Sequence, residues 1–390
     1  MDRRDFLRSS ALAVGVTALG PSFWNNAYGA PAKPGKGPYG PLLKADRNGV
    51  MLPKGFSSRI LATSGKPVGK SGYAWHSAPD GGAVFPQKDG GWVYTSNAET
   101  TAASGGGAGA LRFDKRGEVV DAYRILADTA NNCAGGPTPW GTWLSCEETP
   151  TGQVWECDVT KPGQGVVRPA LGRFSHEAVA FDHGRKALYL TEDMGDGRFY
   201  RFTPTSYPDL SAGALEALAV AADGSVTWVP VLLPQLPQSP LTRPAGSTAF
   251  NGGEGVWFDA DHVYFTTKGD NVVWDLDVKA QKLTKLYDAA ALGASAPLTG
   301  VDNIVVSRSG DIFIGEDGGD LEVVLITPDQ VVTPVVRLMG HDASEITGPA
   351  FSPDGSRMYF SSQRGPGTTA AGVTFEVRGP FRTKRIRPTR

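Results

Sequence analysis

The chemically capable residues of this chain are a cysteine in an unusual loop and a set of carboxylates that recur along the sequence. Cys133 lies in Asn131-Asn132-Cys133-Ala134-Gly135-Gly136. A Pro139-Trp140-Gly141 turn, a short apolar strand from Thr142 to Ser145 and the adjacent acids Glu147 and Glu148 follow it. Glycine and proline let a backbone make tight, fixed excursions, which suits a place where a soft thiolate and hard oxygen ligands converge. Without chemistry, the same stretch is a loop, a buried strand and two surface glutamates.

Other acids stand at matching places in a recurring pattern. Glu177, Glu254, Asp302 and Glu345 precede short apolar strands. Asn97 with Glu99, Glu147 with Glu148, Glu192 with Asp193, and Glu316 with Asp317 close the strands that come next. Carboxylates brought to one place repel each other and resist ionisation unless a cation joins them. Calcium takes several oxygen ligands in flexible geometry. A thiolate such as that of Cys133 adds a soft donor suited to a transition metal such as iron.

The pattern that positions these acids is a module of about 45–50 residues, a spacing typical of propeller blades. Each copy has an apolar strand, a turn carrying Asp or Gly, a strand of aromatic and β-branched residues, and a polar tip. Copies begin near Ala83, at the Cys133 stretch, and at Glu177, Glu254, Asp302 and Glu345, most with a second hairpin after them. The expectation is an all-β, six-bladed β-propeller, with Phe56 to Ala62 completing the last blade and latching the ring. Paired β-sandwiches are the alternative. One short helix is expected near Ala214 to Ala222.

Composition agrees with many short strands and turns: 50 Gly and 29 Pro in 390 residues, without collagen periodicity. A formal net charge of -2 argues against a nucleic-acid partner, and the basic run Arg382 to Arg387 reads as a solvated tail. The chain opens Met1-Asp2-Arg3-Arg4-Asp5-Phe6-Leu7-Arg8, followed by a short apolar run. This reads as a twin-arginine export signal over residues 1–30, with a linker at 31–53 and a single propeller domain at 54–390. Export through the twin-arginine machinery to the periplasm or beyond, no permanent membrane anchor and a monomeric state are expected. Of three cysteines, Cys146 and Cys157 could pair in an oxidising compartment, leaving Cys133 over.

Several familiar chemistries lack their motifs. His176-Glu177 has no partner His at helical spacing, so it is not a zincin helix. No G-x-S-x-G elbow is present. Gly105-Gly106-Gly107-Ala108-Gly109 lacks the Lys-Ser/Thr of a phosphate loop. His341-Asp342 reads as an ordinary polar loop.

The chain resembles the PhoX-type alkaline phosphatases. The resemblance rests on the twin-arginine leader, Asn132-Cys133-Ala134-Gly135-Gly136 with Thr138-Pro139-Trp140-Gly141-Thr142-Trp143, and Cys146-Glu147-Glu148. It extends to Gly172-Arg173-Phe174-Ser175-His176-Glu177, Glu192-Asp193, Tyr200-Arg201-Phe202, Asp302-Asn303 and Glu316-Asp317. It implies a propeller with an iron and calcium cluster at its channel mouth that hydrolyses small phosphate monoesters. By that analogy Cys133 binds iron, and Glu177, Glu254, Glu316 and Glu345 supply oxygens, with Asn97, Asp302, Glu192 and Asp193 in the same set. Lys268 or Arg173 would place positive charge beside the phosphate. Two departures stand out: the first tip reads Asn97-Ala98-Glu99 where the family usually has Asn-His-Glu, and the fourth tip carries Lys268 in place of an acid. A calcium-dependent lactonase-like propeller and a non-enzymatic binding propeller are the alternatives.

Overall fold

Six antiparallel sheets follow one another in the computed structural model, which describes residues 31–386 apart from 240 and 368–370. The leader expected over residues 1–30 lies outside the described residues, as does Arg387. The innermost strands, in blade order, are Pro79–Pro86, Asn132–Pro137, His176–Asp182, Gly253–Asp259, Val301–Val306 and Ile346–Phe351. Each packs against the innermost strands of both neighbouring blades, closing the ring. The expected six-bladed propeller is therefore the fold, in place of two sandwiches. Its closure is the expected one: Ser57–Thr63 from the front of the chain pairs with Val373–Arg378 as the outer strand of blade six.

The core is divided among the six blade interfaces. Val179, Phe181, Leu188 and Leu190 of blade three pack on Leu144 and Val154 of blade two. Ala178, Ala180 and Tyr189, on the other face, pack on Val256, Val263 and Phe265 of blade four. Both faces of every blade are thus covered, so the strands read as nearly continuous apolar runs instead of alternating ones. The same geometry separates two of the cysteines. Cys146 faces blade three and Cys157 faces blade one, on opposite faces of the blade-two sheet. The pairing left open from sequence does not occur: all three thiols are free and buried.

Three other expectations are corrected. The segment expected to be helical at 214–222 lies largely in the strand Asp209–Val220, paired on both sides; tertiary pairing overrides the helix propensity of its Ala and Leu residues. The linker at 31–53 adds two short strands, Lys33–Pro34 and Val50–Met51, to the outer edge of blade five. The C-terminal basic run is a clamp, not a solvated tail: Arg382 Nε binds buried Asp311 at 2.9 Å, and Arg385 pairs with Asp259 at 2.5 Å.

Candidate metal centre at the channel mouth

One register irregularity recurs in every blade and builds the site. Where each innermost strand begins, its pairing with the second strand skips, between Pro79 and Gly82, Asn132 and Gly135, His176 and Val179, Gly253 and Val256, Val301 and Ile304, and Thr347 and Ala350. A bulge of this kind re-aims a side chain out of the regular pleat. The residues at the first five bulges are Asp80, Cys133, Glu177, Glu254 and Asp302, with Thr347 at the edge of the sixth, all buried. The backbone approaches closely here. A Cβ on Gly81 would lie 2.5 Å from Ala134 Cα, and one on Gly255 2.6 Å from Ile304 N, so these positions require glycine.

Three overlapping groups of possible ligand atoms result. Asp80, Glu99 and Cys133 form the first, Cys133, Glu148 and Glu177 the second, and Glu177, Glu254 and Asp302 the third, with atoms within 4.8 Å of one another in each. Two ionised carboxylates at that separation repel by roughly 3–4 kcal/mol at an effective dielectric near 20. The chain's own ionisation reflects this. Burial first, then Glu254 and Glu148, pushes Glu177 well above the usual carboxylate range. Burial, then Asp193 and Glu99, lifts Glu148 to about 9. Burial lifts Asp302 to about 7, against the pull of Lys268. Burial, then Asp80 and Glu177, drives the Cys133 thiol well above its ordinary value.

The residue following each second strand forms an outer ring: Glu99, Glu148, Asp193, Lys268, Asp317 and Gln363. Lys268 Nζ lies 2.8 Å from Glu254 Oε1 and 3.2 Å from Asp317 Oδ2. Gln363 Nε2 donates to Asp80 at 2.6 Å. Glu345, just before the blade-six strand, pairs with Arg364 at 2.6 Å. Beneath the bulges, Gly81, Ala134, Ala178, Gly255 and Gly348 leave a void of only about 30 Å3. Larger cavities of about 140 and 320 Å3 open near the far ends of the innermost strands and lack carboxylates.

Of the residues expected from sequence, Cys133, Glu177, Glu254 and Asp302 meet in the cluster, with Glu345, Asp193 and Lys268 around it. Four do not join it. Glu192 is held by Arg243, by Tyr200 OH at 2.9 Å and by the Arg198 amide at 2.9 Å. Glu316 accepts from the backbone N–H groups of Thr299 and Glu322 at 2.9 and 3.1 Å. The Arg173 side chain donates to the Thr151 carbonyl, at 3.5 Å. Asn97 spends its oxygen on Trp143 Nε1 and Ser145 Oγ, at 2.9 and 2.8 Å, and its amide on blade two. For Glu192 and Glu316 the physical reason is that adjacent residues on a strand face opposite ways; Asn97 is held by blade two, and Arg173 precedes the strand that carries Glu177. In the pairs Glu147-Glu148, Glu192-Asp193 and Glu316-Asp317 the first acid ties down the blade and the second faces the mouth.

The reading from sequence missed Asp80 and Arg364 altogether and left Glu99, Glu148 and Asp317 among the strand-closing acids. Asp80 was findable. Aligning Asp80-Gly81-Gly82 with Cys133-Ala134-Gly135 and Glu254-Gly255-Val256 puts it in the ring.

Residues 93–165 and 150–272 match the model of a family described as alkaline phosphatase PhoX. No curated protein matches the chain significantly. Among solved structures, Pseudomonas fluorescens PhoX in complex with vanadate, a transition-state analogue, is similar with a TM-score of 0.70 and 17% identity, over 87% of this chain and 97% of that one. A gluconolactonase from Xanthomonas campestris is similar with a TM-score of 0.53 and 13% identity, over 88% and 99% of the two chains. A Bacteroides thetaiotaomicron protein of unknown function gives 0.52 and 10%, over 83% and 76%.

Proposed function

We propose that this chain, which resembles the PhoX-type alkaline phosphatases and is with them a phosphoric ester hydrolase, cleaves small phosphate monoesters at the mouth of its propeller channel with the help of iron and calcium. The observation that carries the metal part is Glu177. It is fully buried, and among the described residues neither carboxylate oxygen has a hydrogen-bond partner. Buried polar atoms of a native chain find partners, and a carboxylate left so, between Cys133, Glu148, Glu254 and Asp302, fits a cation.

The donor types fit as well. Asp80, Glu99, Glu148 and Glu177 would offer oxygens, and Cys133 would hold iron through sulfur. Bound ions there supply positive charge and Lewis acidity to a phosphate ester.

The chain's own side chains complete the site. The Lys268 ammonium and the Arg364 guanidinium stand at the mouth, 34% and 47% exposed along their side chains, and offer donors to the non-bridging oxygens of an ester. The narrowing beneath the bulges keeps the ester at the mouth, with its leaving group toward solvent. Asp80 is held by Gln363 and by the Gly81 amide, at 2.6 Å each, so its carboxylate keeps a fixed aim. No side-chain nucleophile is required.

Export through the twin-arginine machinery to the periplasm belongs to the same reading, because that route carries proteins already folded around their metals. Among the described residues no helix is long and apolar enough to cross a membrane.

The test is hydrolysis of a phosphomonoester by protein produced through its own leader, with elemental analysis and a visible spectrum. Iron, calcium, a thiolate-to-metal absorption band and turnover are expected, with band and turnover both lost in Cys133→Ser. A metal-replete protein that cleaves no phosphomonoester overturns the reading. Activity on a lactone that survives Cys133→Ser would place the chain with oxygen-only hydrolases instead.

A further inference from the structure

The charges of the ring are balanced in two different ways. On the side of blades one to three, Asp80, Glu99, Cys133, Glu148 and Glu177 have no cationic side chain in ion-pair contact among the described residues; Asp80 and Glu99 are met by neutral donors, the Gln363 amide and, at Asp80, the Gly81 N–H. On the side of blades four to six, Asp302 feels the charge of Lys268 without an ion-pair contact among the described residues, and the other acids are paired. Lys268 bridges Glu254 and Asp317, and Arg364 covers Glu345. Lys268 stands at the mouth position that Glu99, Glu148, Asp193 and Asp317 occupy in four other blades. An oxygen ligand is thus replaced by a positive charge at the one blade whose bulge acid, Glu254, it then contacts.

We propose that Lys268 is a tethered cation that takes the place of a divalent ion in the Glu177–Glu254–Asp302 group, confining the metals to the Cys133 side. This rests on the metal-dependent reading above and refines it. An ion seated between Glu254 and Asp302 would face an ammonium that already lies 2.8 Å from one of its ligands. It would also be one oxygen donor short, because blade four offers no mouth carboxylate. An ammonium fixed on a side chain cannot be lost to a chelator, whereas the Glu177 oxygens on the other side have no hydrogen-bond partner among the described residues.

The test is metal stoichiometry per chain, measured by elemental analysis after equilibration with iron and calcium, for wild type and Lys268→Glu. Lys268→Glu restores the acid found in four other blades and should bind one more calcium ion than wild type. Equal metal content in two folded, metal-loaded proteins overturns the inference and leaves the phosphatase reading standing. A wild type with no stoichiometric metal overturns both.

Lys268→Met serves if the glutamate variant does not fold. It removes the ammonium without adding a ligand, so added calcium should raise its melting temperature by more degrees than it raises that of wild type. An equal rise in the two proteins overturns the inference.

Discussion

Asn97 donates its side-chain amide to the Ala134 carbonyl, 2.7 Å away on the neighbouring blade, and so fixes the bulge that presents Cys133. The same position carries Thr191 in blade three and Thr266 in blade four. Their hydroxyls donate to the carbonyls of Glu254 and Asp302 on the next blades. Bulged carbonyls have lost their ladder partners and must find others. Asn97 is thus one of a set of fasteners, each holding a ligand-bearing strand from the blade before it.

Asn97→Ala should therefore destabilise the protein whether or not metal is present. It strips partners from Trp143 Nε1, Ser145 Oγ and two carbonyls in a buried network, for an expected loss of about 2–4 kcal/mol. Thermal unfolding in chelator is the measurement. A variant as stable as wild type in chelator, and weaker only when metal is loaded, would make Asn97 a ligand after all.

Glu177→Gln should have opposite effects in the two states. Without metal the wild-type carboxylate is buried among like charges, and an amide of the same shape removes that repulsion. The chelated variant should be more stable than chelated wild type by about 1–3 kcal/mol. With metal it should hold at least one ion fewer, and its phosphatase rate should fall by more than the ~10–100-fold typical of residues that only support a metal site. Elemental analysis and paired melting curves check both; a chelated variant no more stable than wild type would show that Glu177 is not strained.

The pH dependence of the chelated protein follows from the same crowding. Asp302, Glu345 and Glu148 are raised from ordinary values of 3.8, 4.5 and 4.5 to about 7, 8 and 9, with burial as the largest cause. A folded-state pKa above the unfolded one gives stability that is complete below the unfolded value and is lost as pH rises through the folded one. The melting temperature in chelator should therefore fall between about pH 4 and pH 9, and calcium should restore more of it at pH 9 than at pH 5. A flat profile would mean that the acids share their charge with an unseen partner.

How far the sequence carries this site depends on which residue is asked about. The blades are legible because an apolar strand, a turn and an aromatic strand recur, and because Glu177, Glu254 and Asp302 sit at one place in that recurrence. Asp80 escapes a strand-by-strand reading because Pro79-Asp80-Gly81-Gly82 has the composition of a turn, although it starts a strand, and alignment with the Cys133 and Glu254 segments brings it out. The choice between Glu192 and Asp193, or between Glu316 and Asp317, is a matter of one residue of register, and a one-residue shift exchanges inward for outward. Both acids of each pair have the right chemistry, so composition cannot choose between them. Arg364 lies beyond the blade-six tip in a loop, where no periodicity marks its direction.

The C-terminal clamp makes the last prediction. Asp311 is fully buried, and Arg382 reaches it with two guanidinium nitrogens, while Ser309 Oγ donates at 2.8 Å and Tyr39 OH at 3.5 Å. Removing one partner of a buried pair leaves an uncompensated charge and typically costs about 3–5 kcal/mol. The two hydroxyls remain, so Arg382→Ala should fall at the lower end of that range. Arg382→Met with Asp311→Leu removes both charges and should recover much of the loss, since an apolar pair of similar volume is often no worse than the ion pair it replaces. Neither variant touches the channel mouth, so metal content should stay at the wild-type value in both. A double variant as unstable as the single one would show that the tail is held by packing around Phe381 and Tyr39, with the ion pair contributing little.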